Sequence, residues 1–210
     1  MKRREFSLSA AAVAAGAVTL PAWAQPREGK DYRKLAKPAP VEAPAGKVEV
    51  VEFFGYFCPH CNTFEPTLNA WAKTAPKDIV LHRVPVNFNA KTVPMQKLYY
   101  TLEGMGKLEP LHAQAFRYIH VERKPLQEDE QVFAWAKAQG LDVPKFKEMY
   151  NSFGVSNQIR KATQLQQAYD VEGVPSMGVA GRYYVDGTMA GSMENVLRIV
   201  EQLAAQVGKG

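Results

Sequence analysis

The sequence is organised around nine consecutive residues, Phe53-Phe54-Gly55-Tyr56-Phe57-Cys58-Pro59-His60-Cys61. They contain the only two cysteines of the 210-residue chain, with two residues between them. An apolar, β-prone run precedes the pair, and a segment with helical periodicity follows it. A Cys-x-x-Cys pair between a strand and a helix is typical of a redox-active dithiol. The stretch therefore predicts thiol chemistry at the beginning of a helix.

A helix N-terminus would activate the first cysteine of the pair. The unpaired backbone N–H groups and the partial positive charge at that end stabilise a thiolate on Cys58. His60 would stabilise it further, by its charge or by a hydrogen bond. Pro59 suits the first helical turn because proline has no N–H to leave unpaired. A stabilised thiolate favours the reduced form, so the disulfide would be oxidising.

Two other uses of a cysteine pair fit the sequence less well. A structural disulfide would close a loop so short that it contributes only about 2 kcal/mol in the chain-entropy model. A metal site needs about four ligands, and the sequence has no second Cys-x-x-Cys and no His-x-x-His. The remaining histidines, His82, His112 and His120, stand singly and are interpreted as surface or hydrogen-bonded core residues. No metal site is expected.

Glu52 is an acidic residue within the strand that leads to the cysteines. Alternation places its side chain on the face opposite Val51 and Phe53, beneath the helix that carries the cysteines. One interpretation is a part-buried carboxylate that assists proton transfer at Cys61, with a pKa raised by burial. The other is a solvent-facing glutamate at the end of a strand.

The pattern of apolar residues predicts a βαβ unit around the cysteines. A strand over 47–54 and a strand over 79–86 flank a helix over 59–75. Such a unit implies parallel strands joined by a right-handed crossover. The apolar content on both faces of the first strand predicts that it is central in a covered sheet.

The second half of the chain reads as helices followed by a hairpin. A long helical region is predicted from about Val93 to Phe153, with Gly104, Gly140 and Gly154 as helix stops. One more helix is predicted over 156–169. The segment Gly173-Val174-Pro175-Ser176 then precedes a strand, a turn and a second strand, and a final amphipathic helix opens at Ser192 or Met193.

Residues 1–24 read as an export signal. The basic start Lys2-Arg3-Arg4 precedes an alanine-rich apolar run, and Ala22-Trp23-Ala24 fits the small-x-small pattern that predicts cleavage after Ala24. Arg3-Arg4 also resembles the start of a twin-arginine signal, and the general secretory route is the alternative. Either route leads to an oxidising compartment, the periplasm, where a disulfide persists.

The signal is followed by a predicted division into three parts. Residues 25–47 form an extended lead-in, residues 48–91 and 155–210 form one domain, and residues 92–154 form a helical domain inserted into it. The formal net charge of the whole chain is +5, with no run of five like charges. A nucleic-acid or lipid-binding patch is therefore not indicated. We expect a monomer.

This order of elements resembles the thioredoxin fold, an α/β fold, with a helical insertion domain. The details resemble the DsbA family of periplasmic thiol:disulfide oxidoreductases. The matching stretches are Val51-Glu52-Phe53-Phe54, Phe57-Cys58-Pro59-His60-Cys61, Val86-Asn87-Phe88, Tyr150-Asn151-Ser152-Phe153 and Gly173-Val174-Pro175. They cover nearly all of the chain after the signal. Cys-Pro-His-Cys with a distant Val-Pro is far more specific than Cys-x-x-Cys alone.

The resemblance implies a role for each matching position around the cysteines. Cys58 would be the sulfur that a substrate thiolate attacks, and Cys61 the buried partner that leaves and later resolves. Pro59 and His60 would tune the Cys58 thiolate. Glu52 matches the buried acid of the family.

The resemblance also implies how substrates and partners are bound. Val174 and a cis Pro175 would lie against Cys58, and the Val174 backbone would pair with an extended substrate strand. Substrates would be reduced, unfolded exported proteins. Reoxidation would need a quinone-linked membrane oxidase like DsbB, with no bound cofactor beyond the disulfide of Cys58 and Cys61.

Two other function classes stay open at the level of sequence. A disulfide reductase or isomerase of the same fold would differ in redox potential, although residues 30–47 are too short for the dimerisation domain usual in isomerases. A non-enzymatic peptide-binding chaperone would use the groove at Val174 and Pro175 without needing the cysteines.

Overall fold

The structure is a computed structural model that describes residues 25–208. The export signal predicted for residues 1–24 lies outside the described residues. Among the helices that are described, none is both long enough and apolar enough to cross a bilayer.

A five-stranded mixed sheet forms the centre of the fold. Its strands are β1 (Arg33–Lys34), β2 (Val48–Phe54), β3 (Ile79–Pro85), β4 (Ser176–Val179) and β5 (Tyr183–Asp186), in the spatial order β1-β5-β4-β2-β3. β2 and β3 are parallel, whereas β2–β4, β4–β5 and β5–β1 are antiparallel. The mixed sheet and the helices around it confirm the predicted α/β fold.

The helix α1 (Pro59–Thr74) joins the two parallel strands, so the predicted βαβ unit is confirmed. The β4–β5 pair is the predicted hairpin, with Gly181 in its turn at φ +65°. β1 was not predicted as a strand. It lies in the lead-in, and its two residues extend the sheet beyond the hairpin by pairing with Tyr183 and Tyr184.

Helices follow β3 and close the chain. They are a 3₁₀ turn (Ala90–Thr92), α2 (Val93–Gly104), α3 (Leu108–His120), α4 (Asp129–Ala138), α5 (Val143–Tyr150), α6 (Phe153–Ala168), α7 (Gly187–Ala190) and α8 (Met193–Val207). Five of these α-helices, α2 to α6, lie between β3 and β4. The final amphipathic helix begins at Met193, as predicted.

Helix α6 begins earlier than the sequence pattern predicted. The Ser152 hydroxyl accepts a hydrogen bond from the Val155 N–H at 3.2 Å and caps the helix, so α6 starts at Phe153 rather than at 156. Gly154 therefore lies in the first turn of α6, and its prediction as a helix stop was wrong. Gly140 directly follows α4 with φ +74° and does act as one.

Strand β2 is buried along its whole length and carries the site. On one face, Val48 and Val50 pack in a cluster with Phe64 and Leu68 of α1 and with α8. On the other face, Val51 and Phe53 join a larger cluster built with α2 to α6. The prediction of a central, covered strand is confirmed, and β2 holds the start of α1 rigidly in the middle of the molecule.

The packing of β4 against α6 allows no side chain at Gly178. This residue faces Tyr169, which is fully buried and whose hydroxyl accepts the Gly181 N–H at 2.9 Å. A Cβ at Gly178 would overlap the Tyr169 ring and lie 2.9 Å from its hydroxyl oxygen.

We predict that Gly178→Ala lowers the free energy of unfolding by about 1–3 kcal/mol, since overpacked cores lose stability on that scale. Urea denaturation of the two proteins measures the difference. Gly173→Ala is the matched control, because a Cβ there meets no atom within 4 Å. Equal losses in both variants would contradict the packing argument.

Candidate active site

Cys58 stands at the N-terminus of α1. It is the N-cap residue, in an extended conformation, and Pro59 occupies the first helical position. The Cys58 N–H donates to the Gly55 carbonyl at 2.9 Å, which closes the loop that leads from β2 into the helix. The Cys61 N–H donates to the Cys58 sulfur at 3.5 Å. The helix therefore begins where the proline predicts, and its first turn faces the sulfur.

The two cysteines are free thiols in unlike surroundings. Cys58 has 7% of its surface exposed, whereas Cys61 has none. The Cys61 thiol donates a hydrogen bond to the Cys58 sulfur, and this lowers the pKa of Cys58 to about 6 despite partial burial. Burial raises the pKa of Cys61 well above its ordinary value, and the Cys58 sulfur adds to the rise. One sulfur is therefore suited to be a thiolate and the other a thiol.

His60 and Pro59 are both exposed at the helix tip. The His60 backbone N–H and the charge of its ring each contribute to the lowered pKa of Cys58, after the larger contribution from Cys61. The structure therefore places His60 where the sequence expected it, although its neighbour Cys61 acts more strongly on the sulfur.

The Val174–Pro175 segment lies against Cys58, although 116 residues separate Val174 from it. The bond between Val174 and Pro175 is cis. The Val174 carbonyl oxygen is 3.2 Å from the Cys58 sulfur. The register of the sheet explains the approach, because Ser176 pairs with Phe53 at the end of β2 and so holds the preceding residues beside the loop to Cys58.

Glu52 is buried, with 1% of its surface exposed, so the solvent-facing interpretation was wrong. Its Oε2 accepts a hydrogen bond from Arg83 Nε at 3.1 Å, and its Oε1 has no hydrogen-bond partner among the described residues. Burial raises the pKa of Glu52 to about 8, and the nearby charge of Glu65 adds to the rise. The Glu52 charge in turn contributes to the raised pKa of Cys61.

Sequence reasoning missed the partners of Glu52. Arg83 lies opposite Glu52 in the β2–β3 register and also donates to Glu65 at 3.3 Å and to Asn69 at 2.7 Å. One signal was available, since Glu65 follows Cys61 by four residues and so shares its helix face. The pairing with Arg83 was not readable, because it depends on the strand register.

A second buried glutamate was also missed. Glu49 is 2% exposed on the opposite face of β2, where it accepts the Glu42 N–H at 3.1 Å and lies 3.6 Å from His82. Glu49 therefore connects residues 25–47 to the sheet, on the face of β2 opposite Glu52. Among the residues described, no group of three or more His, Cys, Asp or Glu side chains could hold a metal ion.

Comparison with known proteins identifies what this arrangement is similar to. A family model described as a DSBA-like thioredoxin domain matches residues 49–200. The thiol:disulfide interchange protein DsbA of Bordetella pertussis is 42% identical over 211 residues, which covers 100% of both chains. The protein of the same name from Pseudomonas aeruginosa is 41% identical over 175 residues, 83% of this chain and 82% of the relative.

Solved structures agree with the sequence comparison. The crystal structure of Pseudomonas aeruginosa DsbA superposes with a TM-score of 0.80 at 40% identity, covering 85% of this chain and 93% of that chain. The oxidoreductase DsbA from Xylella fastidiosa superposes with a TM-score of 0.81 at 30% identity, covering 88% and 99%. The likeness therefore extends over the sheet, the inserted helices and the cysteine pair together.

We predict that Cys61→Ala raises the pKa of Cys58 above its value of about 6. The substitution removes the thiol that donates to the Cys58 sulfur, and loss of such a donor disfavours the thiolate by roughly one pH unit. Thiolate absorbance in the ultraviolet, followed against pH, measures the shift. Cys61→Ser keeps a donor at the same place and should stay close to the wild-type value. An unshifted Cys61→Ala titration would contradict the hydrogen-bond argument.

We predict that Glu52→Gln changes the pH dependence of stability. The pKa of Glu52 rises from 4.5 in the unfolded chain to about 8 in the folded one, so the folded state holds the proton more tightly. Wild-type stability is then full below pH 4.5 and declines as the pH rises towards 8, relative to a glutamine that does not ionise. Urea denaturation at a series of pH values tests this. Parallel curves for the two proteins would show that the pKa of Glu52 is the same in the folded and unfolded states, and would contradict the shift.

Proposed function

The chain belongs to the DsbA-like thioredoxin-domain family and is a thiol:disulfide oxidoreductase, and from this premise we propose that it donates the Cys58–Cys61 disulfide to reduced, newly exported proteins. The contrast between the two sulfurs carries the proposal. Cys58 lies at the helix tip with a lowered pKa, whereas Cys61 is fully buried with a raised one. A pair of this kind is oxidising, because the reduced form is stabilised as thiolate and thiol.

The first step forms a mixed disulfide. A substrate thiolate attacks the Cys58 sulfur, the bond between Cys58 and Cys61 breaks, and Cys61 leaves with the electron pair. Its high pKa means that this sulfur takes up a proton at once. Glu52 is the proposed donor, since a buried carboxyl with a pKa of about 8 carries a proton at neutral pH.

The second step releases the oxidised substrate. A second substrate thiolate attacks the substrate sulfur of the mixed disulfide, and Cys58 leaves as a thiolate. The Cys61 thiol, the backbone N–H groups of the first helical turn and His60 stabilise that thiolate. Two substrate thiols have then been oxidised to one disulfide, and the cysteine pair has been reduced to a dithiol.

The proposed substrate groove runs along the segment of Val174 and Pro175. Val174 is half-buried beside Cys58, and an extended peptide could pair with its backbone as an added strand. Phe88, 42% exposed, contacts the ring of Phe57 with centroids 6.1 Å apart and supplies apolar surface next to the cysteines. Backbone pairing with apolar contacts suits unfolded chains of varied sequence.

Partners and location complete the proposal. No cofactor beyond the intrinsic disulfide is needed for the transfer. The dithiol would be reoxidised by a quinone-linked membrane oxidase like DsbB. The protein would act as a monomer in the periplasm, after export by the twin-arginine or the general secretory route and cleavage after Ala24.

We predict that the protein stays largely reduced in a glutathione buffer that is mostly oxidised, because its thiolate is stabilised. Alkylation of free thiols followed by mass spectrometry measures the fraction reduced at each buffer ratio. Oxidation in a strongly reducing buffer would instead indicate a disulfide reductase. Cys58→Ser should abolish oxidation of a dithiol peptide. Its matched control Cys61→Ser cannot form the Cys58–Cys61 disulfide. In the oxidised glutathione buffer it should accumulate as a mixed disulfide between Cys58 and glutathione, because the Cys58 thiolate attacks glutathione disulfide and releases one glutathione thiolate. Oxidation of the peptide by Cys58→Ser would contradict the assignment of Cys58 as the sulfur that the substrate attacks.

A further inference from the structure

His112 lies on α3, in the inserted helices, yet its ring is buried beside the redox site. Its Nδ1 is 2.7 Å from the Tyr56 hydroxyl, and its Nε2 is 3.4 Å from Glu65 Oε1. Tyr56 precedes Cys58 by two residues, and Glu65 follows Cys61 by four. One imidazole therefore contacts the chain on both sides of the cysteine pair.

Glu65 belongs to the same charged cluster as Glu52. The guanidinium of Arg83 contacts both carboxylates, with Nε at 3.1 Å from Glu52 and Nη2 at 3.3 Å from Glu65. Once Glu52 has given up its proton, one guanidinium cannot offset two carboxylates. Both carboxyl groups are buried, and the Arg83 side chain is 21% exposed. His112 is the further group in contact with the pair that can carry a positive charge or donate a hydrogen bond.

The imidazole of His112 is otherwise surrounded by aromatic rings. The rings of Phe54, Tyr56, Tyr99 and Phe116 pack edge-on or tilted around the imidazole, at centroid distances of 5.2 to 5.8 Å. Burial raises the pKa of Tyr99 and of Tyr56 well above the ordinary value, so both stay neutral.

A cleft between α1 and α3 opens the cluster to solvent. It encloses about 450 Å³ and is lined by Glu65, Arg83 and His112 together with Asn69. The other charged groups that face it are Lys73 of α1 and Glu109 of α3. Protons from solvent can therefore reach the cluster without passing Cys58.

We propose that His112 is a positioning residue of the redox site, which holds Tyr56 and Glu65 in place and, through the Glu65–Arg83–Glu52 contacts, sets how readily the carboxyl beneath Cys61 gives up its proton. The inference rests on the proposed function of Glu52. When Cys61 leaves as a thiolate, the Glu52 carboxylic acid transfers its proton to that sulfur and becomes a carboxylate. The His112 Nε2 atom, 3.4 Å from Glu65 Oε1, weakens by its positive end the repulsion that the new charge meets, because neighbouring carboxylates titrate as a pair.

His112→Phe tests the proposal, because a phenyl ring keeps the aromatic packing and removes both nitrogens. The readout is the pH dependence of the glutathione equilibrium. It is followed from about pH 5 to about pH 10, a range that spans the ordinary and perturbed pKa values of carboxyl and thiol groups. The inflection of the carboxylate pair should move up by roughly one pH unit, since the pair has lost its donor. The double variant His112→Phe with Glu65→Gln should return the inflection to the wild-type pH or to a lower pH, because it lacks the second carboxylate.

His120→Phe is the matched control. His120 lies on the same helix, and its Nε2–H donates to the Tyr56 carbonyl at 2.8 Å. The ion pairs among the described residues do not include His120. Its substitution disturbs the same loop without touching the carboxylates, so the inflection should not move. Equal shifts in His112→Phe and His120→Phe would assign the effect to the loop and overturn the proposal.

Two further outcomes would overturn it. One is a folded His112→Phe protein with an unmoved inflection, and the other is a double variant that keeps the shift. If His112→Phe does not fold, His112→Leu replaces it, because leucine also lacks the ring nitrogens. The same shift of the inflection is then expected, and the same results would overturn the proposal. The Glu52→Gln variant tests the proposed function separately. The carboxyl inflection in the pH dependence should vanish in this variant. An inflection that is unchanged in Glu52→Gln would show that Glu52 is not the proton donor to Cys61.

Discussion

The hydrogen bonds and the dipole at the first turn of α1 are the interaction on which the chemistry depends. A helix N-terminus has N–H groups with no partner inside the helix, and here they face the Cys58 sulfur. An anion at that place is stabilised only if the helix cannot turn away. Strand β2, buried on both faces, and the loop closed by the Cys58–Gly55 hydrogen bond hold α1 in that position.

The charged cluster beneath α1 is better explained by chemistry than by stability. Burying charged groups costs several kcal/mol per ion, and replacing such groups with apolar ones often stabilises a protein. Glu52 nevertheless lies buried, with one carboxyl oxygen that has no hydrogen-bond partner among residues 25–208, and Arg83 joins it to a second buried carboxylate, Glu65. That arrangement destabilises the ionised form of Glu52, which supports the proposed role of this carboxyl as the proton donor to Cys61.

The helices between β3 and β4 do more than cover the sheet. Through His112 and His120, α3 contacts both the side chain and the backbone of Tyr56, two residues before Cys58. The same helix lines the cleft by which solvent reaches Glu65 and Arg83. The redox site is thus built by two parts of the chain, with the thiols on the βαβ unit and part of their polar support on α3.

The sequence by itself determined the βαβ unit, the position of the cysteines at a helix start, the hairpin, and the residue types for thiol chemistry. These features depend on local signals, such as period-two and period-3.6 patterns, a proline at the first helical position and the Cys-x-x-Cys spacing. It also assigned Glu52 to the face beneath α1, since alternation is local as well.

Only the tertiary structure decided which distant groups meet. The β2–β3 register brings Arg83 to Glu52, and the packing of α3 brings His112 to Glu65. The approach of Val174 to Cys58, which the family resemblance implied, is set by the β2–β4 register. Each contact depends on long-range pairing, and a one-residue slip of a strand would turn every side chain to the other face. For the same reason His112 reads from the sequence as an isolated histidine.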